Sequence, residues 1–156
     1  MKIDSNFPQQ WKAYIVQSSY AALSVYIITL ILSENPVVIA SIGATAFIIF
    51  ALPNNNSAEP KRIIEEHFLG FFKGSCFAVF PFMHIIIFKA IWFALSIGFT
   101  IFLMVILDFE HPPAAGTELG MTLVGYSLSA AIGIIISVLL FTIIGYISKP
   151  YVEDLV

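Results

Sequence analysis

Long apolar runs divided by short polar breaks constrain this chain more than any other feature of it. Trp11 to Leu32, Ile63 to Met83, Ala90 to Leu107 and the stretch that ends near Ile147 each hold enough apolar length for a helix to cross the ~30 Å hydrocarbon core of a bilayer. Inside lipid no water satisfies backbone N–H and C=O groups, so such runs fold as helices packed on one another. The composition agrees: of 156 residues 59% are hydrophobic and 11% charged, with a mean hydropathy of +0.93. Ordinary soluble domains lie far from these values. The expected fold class is all-α, a polytopic transmembrane helical bundle of about five to six membrane segments forming a single domain over 1–156.

The first span, Trp11 to Leu32, offers Trp11, Tyr14 and Tyr20 as interfacial anchors. Ser33-Glu34-Asn35-Pro36 breaks it; Asn35 suits the cap of the next helix and Pro36 its first turn. The second segment, Val37 to Leu52, is about 24 Å long at helical rise and either just reaches across the core or falls short. Pro53 to Arg62 is the clear polar loop, and His84 to Lys89 is a short junction between antiparallel spans. The remainder, His111 to Ser148, would be about 57 Å long as one straight helix, too long for a bilayer. A break is expected near Gly120 or at Gly125-Tyr126-Ser127, leaving a short helix from Pro112 and a full span to Ile147. Lys2, Lys12, Lys61 and Arg62 fall on one side and Lys89 on the other, which places the N-terminus in the cytoplasm. With six segments Lys149 joins the cytoplasmic set. No cleavable signal pattern stands at the start, and the expected location is a prokaryotic cell (inner) membrane.

Two halves, 11–83 and 90–148, repeat an order of features. Ala22-Leu-Ser leads through an apolar helix to Asn35-Pro36 and then Gly43-Ala44-Thr45; Ala94-Leu-Ser leads through another to His111-Pro112-Pro113 and then Gly116-Thr117. Three crossings per half would make this an inverted 3+3 repeat with two short Pro-started helices, the arrangement of transporters whose broken helices meet near the midplane. Chance similarity of apolar helices is the alternative.

The run Asp108-Phe-Glu-His-Pro-Pro-Ala-Ala-Gly-Thr-Glu-Leu-Gly120 concentrates the chemistry. A helix N-terminus leaves four backbone N–H groups free and carries about half a positive charge, so it binds anions without a basic side chain. The Pro-led starts are therefore read as a substrate site. Ser41, Thr45 and Thr117 supply hydroxyls, and Gly43, Ala44 and Gly116 permit close approach. His111 beside Pro112 and Pro113 can donate to an anion or carry a proton, and His67 lies near the cytoplasmic start of the third span. Against this stands the plainer reading that Gly-Ala-Thr and Ala-Ala-Gly-Thr only let helices pack. Glu118 and Lys73 fall within apolar sequence, and with Glu110 they are the ionisable candidates for coupling. Lys73 has a second reading, as a side chain that snorkels to the surface.

Other features read as structural. Gly70-xxx-Gly74 with Ala78, then Ala90, Ala94 and Gly98, then Ser129, Gly133 and Ser137 are helix-packing stripes, within one chain or between chains. Cys76, the single cysteine, excludes an intramolecular disulfide and reads as a small packed hydrophobe. His84 is expected to be solvated at a boundary, and Glu153-Asp154 to belong to a solvated tail.

Three blocks in order carry a family resemblance: Ala40-Ser-Ile-Gly-Ala-Thr-Ala-Phe-Ile-Ile-Phe-Ala-Leu-Pro53, Glu59-Pro-Lys-Arg-Ile-Ile-Glu-Glu-His-Phe-Leu-Gly70 and the triplet His111-Pro112-Pro113. Together with the final helix they make the chain resemble the HPP family of integral membrane proteins from about Glu34 to Tyr146. Members of that family are described as four-span proteins, fewer than the segments counted above. Plant plastid and cyanobacterial members are associated with nitrite transport, so the resemblance implies a small-anion transporter with nitrite as the first candidate. Glu118 departs from the family pattern, which has a small or apolar residue there. A carboxylate repels a passing anion unless it is protonated, paired with Lys73 or bound to a cation.

The function expected is transport of a small inorganic anion, held at the N-termini of the two Pro-led helices near the midplane. An anion channel is the alternative within that class. An intramembrane enzyme using Glu110, His111 and Glu118 lacks any HExxH or GxSG motif and further convergent ligands, so no enzyme, metal or cofactor is expected. A membrane sensor subunit would need a domain to read a signal. The expected partners are the anion, the lipid bilayer and further copies of the chain in a homo-oligomer. The net charge of −3 and the absence of a basic cluster larger than Lys61-Arg62 argue against nucleic acid.

Overall fold

The computed structural model describes residues 4–31, 36–79, 85–108 and 111–156. Within them the chain forms α1 (Phe7–Ile31), α2 (Pro36–Ala51), α3 (Pro60–Phe77), α4 (Ile86–Ile106), α5 (Pro113–Val124) and α6 (Leu128–Ser148), with 3₁₀ turns at Asn56–Ala58 and Lys149–Tyr151. The all-helical bundle expected from the sequence is what forms.

Local chemistry sets the ends. Pro60 and Pro113 sit in the first turns of α3 and α5, where an N–H would have no helical partner. Gly125, at φ 82°, ends α5 with its N–H on the Met121 carbonyl at 2.8 Å, and the Ser127 hydroxyl then caps α6 by accepting the Ala130 N–H at 3.1 Å. The break thus falls at Gly125-Tyr126-Ser127, whereas Gly120 lies buried inside α5. α1 starts at Phe7, earlier than the expected Trp11. Asp4 accepts the Asn6 N–H at 2.9 Å and the Tyr14 hydroxyl at 2.8 Å, contacts that hold its carboxyl below the usual carboxylate range. α3 stops at Phe77, short of the expected Met83, and α4 starts at Ile86, before the expected Ala90. Apolarity runs on past a helix end, so hydropathy alone misplaces such boundaries. Trp92 ties the two by donating its indole N–H to the Phe77 carbonyl at 3.0 Å. Asn35, His84 and Glu110, read above as a cap, a junction residue and a coupling candidate, lie outside the described residues.

Among the described residues, Phe7–Leu30, Ile86–Ile106 and Leu128–Tyr151 are long and apolar enough to cross a membrane. The 16 residues of α2 and 12 of α5 reach only about 24 Å and 18 Å, short of a ~30 Å core. The short helix α5 is wrapped by others: it packs on α3, α2 and α4, while α2 also meets α1 and α6, and α3 meets α4 and α6. The set of packed helix pairs is unchanged when α1, α2 and α3 are exchanged with α4, α5 and α6. Thr117 also follows Thr45 at the separation that Ala94-Leu-Ser keeps from Ala22-Leu-Ser.

Small residues form the tightest seam. A Cβ on Gly70 would lie 2.5 Å from the Ala114 carbonyl oxygen, and one on Gly74 would lie 2.6 Å from Met121 Cβ. Gly70 opposite Ala114 and Gly74 opposite Met121 mean that α3 and α5 run in the same direction. The stripe Ala90, Ala94 and Gly98 behaves otherwise: it is exposed, and α4 turns Ser96, Thr100 and Met104 inward instead. Cys76 likewise faces outward on α3 rather than packing. Ile28, Ile49, Phe50, Ile63, Ile134 and Phe141 anchor an apolar core elsewhere in the bundle.

The C-terminal tail is docked, not solvated as expected. Leu155 donates its N–H to the Ala51 carbonyl at 2.9 Å, and the Asp154 carboxylate accepts the backbone and side-chain N–H groups of Asn54, both at 3.1 Å. Buried Gln17 exchanges bonds with the Glu153 backbone at 2.9 and 3.1 Å, and the Tyr14 hydroxyl, whose one hydrogen is shared with Asp4, lies 2.9 Å from the Leu155 carbonyl. An amide buried on an apolar helix needs peptide partners, and the tail supplies them. These contacts collect the start of α1, the end of α2 and the tail at one end of the bundle. The link Pro53 to Pro60 puts the start of α3 there too, so Lys12, Lys61, Arg62 and Lys149 share that end, and Lys89, at the start of α4, lies at the other.

Candidate polar site around helix α5

α2 and α5 pass each other in opposite directions, Ser41 facing Pro113 and Thr117 while Thr45 faces His111. α3 lies alongside with His67. The result is a continuous chain of buried polar groups. The Ser41 hydroxyl donates to the Pro113 carbonyl and lies 2.9 Å from Thr117 Oγ1. Thr117 Oγ1 lies 2.7 Å from His67 Nδ1. Thr45 Oγ1 stands 3.0 Å from His67 Nε2, 3.2 Å from His111 Nε2 and 3.2 Å from the Ser41 carbonyl. His111 Nδ1 reaches the Ser57 carbonyl at 2.8 Å in the link before α3. The two imidazole rings are 5.1 Å apart, edge to face. Thr45 and His111 are fully buried, and Ser41, His67 and Thr117 nearly so.

The start of α5 does not offer the free N–H groups expected of it. Pro112 and Pro113 have none, and the next two are used: Ala114 donates to the His111 carbonyl at 3.0 Å and Ala115 to the Pro112 carbonyl at 3.1 Å. The first four positions of the helix mouth therefore hold no free backbone donor. Arg62 closes the outer end, with Nη1 donating to the Asp108 carbonyl at 2.5 Å and Nη2 standing 3.5 Å from its carboxylate. Asp108, at φ 54°, is in the left-handed conformation that lets α4 end there.

A second polar cluster occupies the other flank of α5. Glu66 and Lys73, seven positions apart on α3, share one side of the Gly70–Gly74 seam, whereas His67 lies on the other. Lys73 donates to Thr100 Oγ1 at 2.7 Å and sits 5.7 Å from the Phe99 ring centre. It therefore points inward and does not snorkel. Thr122 Oγ1 lies 3.4 Å from Glu118 Oε1 and from Ser96 Oγ, and Thr100 lies beside the same carboxylate. Glu118 and Glu66 are fully buried, and Glu118 Oε2 and both Glu66 oxygens have no hydrogen-bond partner. No ion pair within 4.0 Å joins Lys73 to either carboxylate among the described residues. Hydroxyls of Thr100 and Thr122 lie between Lys73 and Glu118, while the Glu66 carboxyl is buried without a hydroxyl partner.

A family model described as HPP, transmembrane region, matches residues 7–149. The chain belongs to the HPP family. It is an integral membrane protein, as its apolar helices require. No curated protein and no solved structure matches it significantly.

Of the residues singled out in this HPP chain by sequence, Ser41, Thr45, His67, His111, Pro113, Gly116 and Thr117 come together. A Cβ on Gly116 would lie 3.0 Å from Ser41 Cβ, so close approach is required there. Gly43 and Ala44 do not join them. Ser41 and Thr45 are one helical turn apart, so the residues between them point elsewhere. Gly43 has nothing within 4 Å of its Cβ position and faces a surface groove with Ser18 and Ala22 of α1; Ala44 is exposed. Pro112 is exposed as well. Glu118 and Lys73 lie on the opposite flank from the histidines, and Glu110 is outside the described residues. Sequence reading missed Glu66, Ser96, Thr100 and Thr122. Two signals were available: Glu66 stands seven residues before Lys73, and Ser96 four before Thr100, spacings that align side chains on a helix face. Among the described residues no three His, Cys, Asp or Glu side chains gather as a metal would need.

Proposed function

We propose that this HPP protein is a membrane transporter of a small inorganic anion, with nitrite as the first substrate to test. The observation that carries the reading is the chain Ser41–Thr117–His67–Thr45–His111, buried between two short Pro-led helices that run in opposite directions. Buried polar and ionisable groups are expensive within a bilayer and mark substrate or ion pathways. Two imidazoles that can take up a proton, with hydroxyls beside them, suit a small oxyanion better than a cation. We read residues 11–83 and 90–148 as inverted halves, which the exchange symmetry of the helix pairs supports. By the positive-inside rule we take the end that collects Lys12, Lys61, Arg62 and Lys149 to face the cytoplasm, in what we propose is a prokaryotic cell (inner) membrane. Assembly into a homo-oligomer belongs to the same proposal and is read by light scattering on the purified protein.

The test is flux in proteoliposomes across nitrite, nitrate, formate and chloride. Saturable nitrite uptake that falls at least tenfold in His111→Ala is the expected outcome, whereas uptake linear in concentration would point to a channel. Folded protein that passes none of the four anions overturns the reading.

A further inference from the structure

Hydrogen-bond directions around the two histidines can be followed atom by atom, and they leave the cluster one proton short. The Ser41 hydroxyl hydrogen goes to the Pro113 carbonyl, which only accepts. Thr117 must then donate its own hydrogen to Ser41 Oγ, 2.9 Å away. With that hydrogen used, Thr117 Oγ1 can only accept from His67 Nδ1 at 2.7 Å, so Nδ1 carries the hydrogen. His111 Nδ1 faces the Ser57 carbonyl at 2.8 Å and carries a hydrogen for the same reason. When both rings are neutral, each Nε2 is therefore a bare lone pair, and both point at Thr45 Oγ1, at 3.0 and 3.2 Å. Thr45 has a single hydrogen for two imidazole acceptors and the Ser41 carbonyl. One lone pair always faces another.

We propose that His67 and His111 bind one proton jointly, relayed through the Thr45 hydroxyl. With the proton on His67 Nε2, that N–H donates to Thr45 Oγ1 and the Thr45 O–H donates to His111 Nε2; concerted transfer of both hydrogens gives the mirror arrangement, with the proton on His111 and Thr45 still a hydroxyl. A second proton would put two positive charges on desolvated rings whose centres are 5.1 Å apart. The pair thus holds one, and its titration belongs to both rings together. The ionisable groups on the elements around it are Lys61, Arg62, Glu65, Glu66 and Lys73 of α3, Glu118 of α5, Glu59 before α3 and Asp108 after α4; α2 contributes none. Arg62 is engaged by Asp108 and Glu59, and Lys61 by Glu65.

The shared proton gives the site the positive charge that the start of α5 does not supply. Resting on the transporter reading, it also assigns the coupling: one proton enters with each monovalent anion, and the cycle moves no net charge.

Ring-¹⁵N-histidine labelling of the full chain in lipid nanodiscs tests the proton site without any transport assay, since the chain has 3 histidines and His84→Gln removes the third. At high pH both His67 and His111 should be Nδ1–H tautomers. As pH falls, both Nε2 signals should move along one curve with uptake of one proton per chain. Thr45→Val should split that curve in two. A neutral Nε2–H tautomer at either ring, uptake of two protons, or no titration while the protein stays folded would each overturn the proposal. In proteoliposomes, nitrite uptake should be unaffected by membrane potential and should carry one proton per anion, read by an internal pH dye. Flux without protons overturns the coupling; absence of all flux with the expected ¹⁵N behaviour overturns the transporter reading and leaves the shared proton standing.

Discussion

A lysine and two carboxylates share the space beside α5 with no direct ion pair, which makes each dependent on the others. Lys73 is held by Thr100 and is the basic neighbour of the Glu66 and Glu118 carboxyls, whose oxygens are mostly unpartnered. Removing one member of such a buried set leaves its polar neighbours unsatisfied, a loss of about 1–3 kcal/mol. Lys73→Met should therefore lower stability by about 1–3 kcal/mol in chemical unfolding from detergent, and adding Glu118→Gln should recover part of it. A double variant no more stable than the single one would show that the two side chains are not coupled. Glu118 was legible as an intramembrane ionisable residue. Glu66 was not, because a charge near the start of a span looks solvated until a second helix covers it.

At the scale of the helices, the α3–α5 seam decides where both polar clusters fall. Gly70 and Gly74 let α5 lie directly against α3, and the seam then separates His67 from Glu66 and Lys73. Gly74→Ala should destabilise the protein by about 1–3 kcal/mol, because the new methyl meets α5 backbone and Met121. Gly43→Ala and Gly98→Ala, with nothing within 4 Å, should stay within about 0.5 kcal/mol of the parent. Thermal unfolding in one detergent compares all three, and equal losses would refute the seam. Three stripes of small residues looked alike in sequence. Only packing distinguished the α3 stripe, whose Gly70 and Gly74 are buried, from the α4 stripe, which is exposed.

The whole molecule is closed at one end by its own tail. Gln17 bridges α1, the end of α2 and the Glu153 backbone, so Gln17→Leu removes several buried bonds at once. We expect about 1–3 kcal/mol of lost stability and faster proteolysis beyond Tyr151, read by mass spectrometry. An unchanged cleavage rate would mean that the tail is held by other contacts. Asp4, at the same end, has its carboxyl lowered by Asn6 and Tyr14. Its contribution is present above the ordinary carboxylate range and is lost as the pH falls through the lowered value.

Sequence by itself determined the membrane, the helices and most of the histidine site. Apolar length leaves the backbone no other solution in lipid, prolines and Gly125 mark helix ends through their own dihedral limits, and His111, Thr45, His67 and Thr117 stand in recognisable blocks. Tertiary structure decided which groups are free. Two prolines and a tight turn used up the donors of the α5 mouth, helix rotation turned Gly43 and Ala44 away, and packing drew Lys73 inward and laid the tail against Gln17. Such outcomes depend on contacts between residues far apart in the chain, where a side chain's charge, donor or lone pair matters only once its neighbour is known.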